Sequence, residues 1–160
     1  MKRLTITALA ALAVAQPALA APAADPERAA VIAAVQQFFD GMAANDPKIM
    51  GDVLMAEGMT ASVRPGPAGS TVARFTPQKQ FLERTGGDKY LERMWDPVVT
   101  RRGALAVLWA PYEFQLNGKT THCGVDVFNL VKTDGRWKIA GGSWTVEPDA
   151  CPELKAKAKP

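Results

Sequence analysis

The segment LAVLWAPYEFQLNGKTTHCGVDVFNLVKTDGRWKIAGGSWTV, which spans residues 105–146, decides the fold of this chain. Its apolar runs are separated by Asn117-Gly118 and by Asp134-Gly135. Both dipeptides favour two-residue hairpin turns, because their residues tolerate positive φ angles. The segment therefore predicts three consecutive antiparallel strands.

The two turns also predict which residues face each other across the strands. The expected pairs are Leu116 with Lys119, Glu113 with His122, Trp109 with Asp126, Val107 with Phe128 and Leu105 with Leu130 in the first hairpin, and Leu130 with Ile139, Phe128 with Gly141, Asp126 with Ser143 and Gly124 with Thr145 in the second. A slip of one residue in either turn would exchange side chains between the two faces of the sheet.

In this register both faces of the sheet are rich in apolar residues. The first face has an apolar end, formed by Leu105, Val107, Trp109, Phe128, Leu130, Trp137 and Ile139. Its other end is polar and contains Glu113, His122, Asp126, Ser143 and Thr145. The second face carries Ala106, Leu108, Ala110, Tyr112, Phe114, Cys123, Val125, Val127, Val131, Ala140, Trp144 and Val146. An antiparallel sheet with one wet face alternates apolar and polar residues. We therefore expect helices to cover the first face. A second copy of the chain would cover the second face, which is then the outer face of the sheet, and form a homodimer.

Residues 1–20 have the pattern of a secretory signal peptide. Lys2 and Arg3 precede the apolar run LTITALAALAVA, and the small residues Ala18-Leu19-Ala20 end it. The apolar run is too short to span a bilayer well, although an uncleaved anchor is the alternative. We expect a periplasmic or secreted protein cleaved near Ala20, with one domain over residues 21–148 and a tail over residues 149–160.

Composition argues against nucleic acid and membrane partners. The full chain has 19 Lys and Arg against 16 Asp and Glu, and removal of Lys2 and Arg3 leaves 17 against 16, a net charge of about +1. No segment after residue 20 is long and apolar enough to cross a membrane.

Cys123 and Cys151 are the two cysteines of the chain. An even number in an exported protein favours a disulfide, which would staple the tail to the sheet. Two free thiols are the alternative.

The remaining elements are short. Asp25-Pro26 starts a long helix that runs to about Ala44, because apolar residues recur there at spacings of three and four. The other expected elements are a short helix over 46–54, a strand, loop and strand over 59–75, a helix from Thr76 to Gly86, a strand over 90–100 interrupted at Asp96-Pro97, and a disordered tail after Pro148.

This order of elements, together with GALAVLWAPYEFQLNGKTTHCGVDVFNLVKTDGRWKI, resembles the nuclear-transport-factor-2-like superfamily and its small exported SnoaL-like members. The resemblance covers roughly residues 25–146. It implies an α+β, cystatin-like fold in which a curved, cone-shaped antiparallel sheet wraps a pocket closed by a long N-terminal helix and short helices. Many members dimerise through the outer face of the sheet. The tyrosine that steroid isomerases of this fold carry on the first helix is absent here, so that activity is not implied.

Asp126 is the main candidate for chemistry, because an inward aspartate between apolar neighbours would have the raised pKa of a general base. His122 or Tyr112 would assist it. The expected ligand contacts are Trp109, Glu113, Phe128, Ser143, Thr145 and Arg64. No metal or other cofactor is expected, since His122 and Cys123 are adjacent and point to opposite faces. A structural Asp126, held by a neighbouring hydroxyl or indole, is the alternative.

Three hypotheses follow. The first is a pocket that binds a small, largely apolar molecule without turning it over. The second is an isomerase, dehydratase or cyclase that uses Asp126 as its base. The third is a structural or interaction domain in which the apolar sheet face meets a partner.

Overall fold

The long helix α1 (Pro26–Ala44) begins and ends as the sequence predicts. Asp25 is its N-cap and accepts a hydrogen bond from the Glu27 amide, while Asn45 ends it in the left-handed region at φ 52°. This computed structural model describes residues 25–83 and 86–158. The predicted signal peptide lies outside the described residues.

Seven strands form one curved sheet. The strands are β1 (Leu54–Pro65), β2 (Thr71–Pro77), β3 (Tyr90–Met94), β4 (Val98–Arg102), β5 (Leu105–Leu116), β6 (Lys119–Thr133) and β7 (Arg136–Thr145). Their order is β2-β1-β7-β6-β5-β3, and β4 also pairs with β5. Only the β1–β7 pair among these strands is parallel. The α+β architecture is therefore confirmed.

Three short α-helices and one 3₁₀ turn complete the described chain, namely α2 (Pro47–Gly51), α3 (Lys79–Leu82), α4 (Cys151–Ala156) and the turn Pro67–Gly69 between β1 and β2. Helix α1 packs against one face of the sheet, here called the inner face, and the opposite face is called the outer face. The shared core contains Val31, Val35, Phe38, Phe39, Leu108, Phe128, Leu130, Trp137 and Ile139. Among the described residues, no helix is long and apolar enough to span a membrane.

Both predicted hairpin turns are present. Asn117 and Gly118 have φ angles of 53° and 79°, and Asp134 and Gly135 have 52° and 75°. These consecutive positive angles are the conformation for which the Asn-Gly and Asp-Gly dipeptides are suited. The central meander thus forms where the sequence places it.

The predicted register is wrong beyond the first turn. Leu116 does pair with Lys119, but the pairing shifts between Phe114 and Gln115, and Glu113 lies opposite Cys123 rather than His122. Further along β5, Trp109 pairs with Val127, Val107 with Asn129 and Leu105 with Val131. An irregularity with one extra residue exchanges the two faces of a strand relative to its partner. As a result, the face of β5 with Leu108 and Tyr112 covers the core.

A second irregularity shifts β7 against β6. Leu130 pairs with Ile139 as predicted, but Phe128 pairs with Gly142 and Asp126 with Trp144 instead of Ser143. Ala140 is the extra residue at this point. Trp144 therefore faces inward and Ser143 outward.

Three other boundaries differ from the sequence prediction. Thr76 and Pro77, which were predicted to begin a helix, end strand β2, and α3 begins only at Lys79. Helix α2 ends at Gly51, and β1 already begins at Leu54, where the sequence predicted helix. The sequence predicted a disordered tail after Pro148, but Cys151–Ala156 forms helix α4. A disulfide joins Cys151 to Cys123, as predicted, and fixes this helix to β6.

Candidate functional site

A cavity of about 290 Å³ lies between α1 and the inner face of the sheet. It is lined by Phe38 and Met42 of α1, Arg64 of β1, Phe81 of α3, Glu92 of β3, Tyr112 and Phe114 of β5, His122, Asp126 and Phe128 of β6, and Trp144 and Val146 near the end of β7. The cavity forms because α1 covers only part of the curved sheet. Its volume suits a small molecule of one or two rings.

Aromatic rings form most of the cavity wall. Phe38 meets Phe81 edge-on with ring centroids 5.7 Å apart, and it meets Phe128 at 6.2 Å. Phe114 stacks on the His122 imidazole at 5.1 Å. Such edge-to-face and stacked contacts hold the rings in fixed orientations. The wall is therefore a preformed apolar surface.

Two carboxyl groups, Asp126 and Glu92, meet in this apolar wall. Asp126 is 1% exposed, and its side chain forms a hydrogen bond with that of the half-buried Glu92. Two carboxyl oxygens can share a hydrogen bond only if one of the groups carries a proton. The Oδ2 atom of Asp126 has no hydrogen-bond partner among the described residues.

Burial determines the charge of this pair. It raises the pKa of Glu92 to about 7, against the opposing effect of the hydrogen bond from Asp126. Burial raises the pKa of Asp126 well above its ordinary value, and the neighbouring Glu92 charge raises it further. The pair therefore carries at most one negative charge near neutral pH.

Tyr112 and His122 lie beside the pair but have partners of their own. The Tyr112 hydroxyl donates to the backbone carbonyl of Thr145 at 2.6 Å, and burial, followed by the Asp126 charge, raises its pKa. His122 Nδ1 lies 2.8 Å from the Thr121 hydroxyl, and burial lowers the pKa of its ring. Both side chains are neutral at pH 7. The cavity thus contains three predicted chemical residues, Asp126, His122 and Tyr112.

Of the predicted ligand contacts, Phe128 and Arg64 line the cavity, whereas four others lie elsewhere. Trp109 is on the outer face and 42% exposed, because of the register shift in β5. Glu113 accepts hydrogen bonds from Thr120 and Lys155 beside the disulfide. Lys155 and Thr120 lower its pKa.

Ser143 and Thr145 also lie outside the cavity lining. Ser143 pairs with Val127 on the outer face. The Thr145 hydroxyl accepts from the Val125 amide and donates to the Glu147 carboxylate. Only the Thr145 backbone carbonyl takes part in the site, through Tyr112.

Glu92 is the important residue that sequence reasoning missed. It is the middle inward residue of the strand YLERM, in which Tyr90 and Met94 also face the core side. An acid between two core residues of an alternating strand is a signal of a buried carboxyl. No group of three or more His, Cys, Asp or Glu side chains within residues 25–83 and 86–158 forms a possible metal site.

Solved structures share this fold at low sequence identity. A cystatin-like protein from Nostoc punctiforme matches with a TM-score of 0.59 and 9% identity, over 79% of this chain and 95% of that chain. An NTF2-like protein from Cytophaga hutchinsonii matches with a TM-score of 0.60 and 16% identity, over 75% and 98%. Another from Shewanella baltica has a TM-score of 0.52 and 15% identity, over 78% and 96%. These matches show the nuclear-transport-factor-2-like fold that the sequence resembles.

Comparison by sequence gives fewer matches than comparison by structure. No curated protein matches the chain significantly. One family model does match, and it covers residues 26–145, from the start of α1 to the end of β7. The matched range includes every residue of the cavity lining except Val146. The chain therefore belongs to the family described as "Putative lumazine-binding".

Proposed function

We propose that the cavity binds a small, flat, largely apolar molecule without turning it over. The observation that carries this proposal is the buried Asp126 Oδ2, which lies in an aromatic wall and has no hydrogen-bond partner in residues 25–83 and 86–158. A buried polar atom without a partner costs about 1–3 kcal/mol. A ligand that donates an N–H or O–H group to this oxygen would recover that free energy while its rings pack on Phe38 and Phe128.

The family description supports a ligand of this class. Lumazine is a flat molecule of two fused rings that carries N–H groups, so it has both the shape and the donors that the cavity requires. The binding partner of this chain is thus proposed to be a flat ring molecule with at least one hydrogen-bond donor on its edge. Recognition would require no metal and no other cofactor.

Isothermal titration calorimetry with two probes, lumazine and 2-naphthol, tests this proposal. Val146→Phe should weaken binding at least about tenfold, because the added ring would occupy the cavity. Leu105→Phe is the matched control, since Leu105 is 55% exposed on the outer face. Lumazine binding would identify the heterocyclic class, and binding of 2-naphthol alone would identify a more apolar ligand. Failure of both probes to bind would contradict the proposal.

The carboxyl pair favours a second function, that of an isomerase, dehydratase or cyclase. Buried groups with shifted pKa values cluster at catalytic sites. Because Asp126 is almost fully buried whereas Glu92 is half-buried, Glu92 is the better candidate for the general base, with Asp126 as the proton donor. Asp126→Asn should leave binding of 2-naphthol within about threefold but abolish any conversion of a bound compound. Lumazine recovered unchanged from both proteins after long incubation would favour binding alone.

We further propose export and dimerisation. The pattern of residues 1–20 supports export to the periplasm or the exterior, where the Cys123–Cys151 disulfide would persist.

The outer face exposes large apolar side chains, with Val98 57% and Trp109 42% exposed. A second copy would cover these residues. Light scattering should give twice the mass of the processed chain, and Trp109→Glu should give the monomer. A stable monomer with an intact fold would instead favour an outer face that binds a different protein.

A further inference from the structure

A second cavity, of about 300 Å³, adjoins the first. Arg64, Phe81 and Trp144 line both of them, so the two spaces share a wall. The remaining lining residues of the second cavity are Ser62, Arg74, Thr76 and Gln80. The two cavities are therefore placed to hold two parts of one molecule.

The second cavity differs sharply from the first in charge. Its lining contains two arginines and three polar side chains that can all donate hydrogen bonds. It contains no carboxyl group, whereas Glu92 and Asp126 line the first cavity alone. The linings thus differ in polarity, with acids confined to the first cavity and donors concentrated in the second.

The strand register brings the two arginines together. Ser62 of β1 pairs directly with Arg74 of β2, and Arg64 is two residues further along β1 on the same face. Arg64 and Arg74 are therefore diagonal neighbours across an antiparallel pair, a distance that long side chains can bridge. Two like charges repel each other, and an anion bound between them would relieve this repulsion.

Neither arginine forms an ion pair with a described residue. The ion pairs within the described chain are Arg101 with Asp25, Lys132 with Glu27, Lys155 with Glu113 and Lys157 with Glu153. Toward the part of the chain that the structure describes, Arg64 donates one hydrogen bond, a long one of 3.3 Å to the Ser62 hydroxyl. The guanidinium groups at the second cavity therefore retain donors for a ligand.

We propose that the second cavity is an anion subsite, in which Arg64 and Arg74 bind a phosphate, sulfate or carboxylate group attached to the ring molecule held in the first cavity. This inference rests on the proposed function and names its ligand class more closely. A planar guanidinium binds an oxyanion through two parallel hydrogen bonds, and Thr76 and Gln80 add further donors. The donor edge of the ligand would face Glu92 and Asp126, and its anionic end would lie over β1 and β2.

A matched pair of probes tests the subsite. 2-Naphthol and 6-hydroxy-2-naphthyl phosphate share the same rings and one hydroxyl donor, and the phosphate lies at the opposite end of the ester; titration calorimetry at pH 8 and low salt gives the affinity of each. We expect the phosphate ester to bind at least about tenfold more tightly. Arg74→Gln should remove most of this tenfold gain and change 2-naphthol binding by less than about twofold. Arg64→Gln should act in the same direction.

Arg102→Gln is the control, because Arg102 is an exposed arginine of β4 that lines neither cavity. It should leave the affinity for both probes unchanged. Equal affinity for ester and alcohol in the unaltered protein would overturn the subsite while leaving the apolar pocket in place. An equal loss in Arg102→Gln and Arg74→Gln would also overturn it, since general charge attraction would then explain the gain.

The two proposals fail in different ways. If the phosphate ester binds through Arg74 but 2-naphthol and lumazine do not bind, the anion subsite stands and the apolar pocket is wrong. If none of the three probes binds, both proposals are overturned. Inorganic phosphate alone should bind far more weakly than the ester, and equal binding would refute the link between the two cavities.

Discussion

Replacing Glu92 by Gln should make the protein more stable at pH 8 than the unaltered chain. The Glu92 carboxyl is buried beside Asp126, and this burial makes its charged form unfavourable. An amide has nearly the same shape and carries no charge near neutral pH, and its oxygen can accept a hydrogen bond from the protonated Asp126 carboxyl. The variant therefore removes a cost that the unaltered protein bears whenever Glu92 is ionised.

The magnitude follows from the shift in pKa. In the folded chain the Glu92 pKa rises from 4.5 to about 7, and one unit corresponds to about 1.4 kcal/mol. Between pH 4.5 and 7 the folded state binds more protons than the unfolded state, so the Glu92 contribution to stability is full below pH 4.5 and is lost as the pH rises to 7. The unfolding free energy of Glu92→Gln minus that of the unaltered protein should thus be larger at pH 8 than at pH 4, by at most roughly 3 kcal/mol.

Guanidinium unfolding followed by circular dichroism at pH 4, 5.5, 7 and 8 measures this effect. The difference in unfolding free energy between variant and unaltered protein isolates Glu92 from the other acids. Glu57→Gln, at an exposed position of β1, is the control and should show a flat difference. A Glu92→Gln difference that is also flat, or that becomes less favourable as the pH rises, would refute a buried carboxyl at residue 92.

Three further predictions concern stability. Tyr112→Phe should cost about 1–2 kcal/mol in chemical unfolding, because the Thr145 carbonyl loses its 2.6 Å donor; an unchanged midpoint would contradict this hydrogen bond. Gly124→Ala should cost about 2–3 kcal/mol or more, since an added Cβ would lie 2.1 Å from the same carbonyl oxygen; a neutral substitution would show that the strands are not so close there. Reduction of Cys123–Cys151, whose cysteines are 28 residues apart, should lower the unfolding free energy by about 3–4 kcal/mol; a doubly Ala-substituted chain should not respond to reductant.

The sequence predicted the parts of the fold that depend on local chemistry. Asn117-Gly118 and Asp134-Gly135 determine both hairpins because positive φ angles are required at those four residues. Asp25 and Pro26 determine the start of α1 in the same local way. The disulfide was also predicted correctly, because Cys151 follows soon after the strand next to Cys123.

The register was harder to predict because it depends on single inserted residues. The shifts near Thr121 and at Ala140 have no distinctive sequence signal, yet each exchanges two faces of a strand. Trp109 and Ser143 consequently lie outside the cavity in which the sequence placed them. Asp126 lies in the cavity as predicted, because the two shifts change the residues that pair with it on β5 and β7 but leave the same face of β6 toward the core.

The pairing of Asp126 with Glu92 could not be found from one strand at a time. These residues lie on β6 and β3, which are separated in the sheet by β5. Curvature brings their side chains together over the cavity, and curvature is a property of the whole sheet. Helix α4 likewise depends on distant contacts, namely the Cys123–Cys151 bond and the Lys155–Glu113 ion pair.

A crystal structure of the protein grown with saturating 2-naphthol would decide whether the first cavity binds a ring molecule. We expect electron density for the probe between Phe38 and Phe128, with its hydroxyl within hydrogen-bond distance of the Glu92–Asp126 pair. Density for the probe on the outer face, or a cavity filled by packed side chains with no probe bound, would contradict a binding function for this pocket.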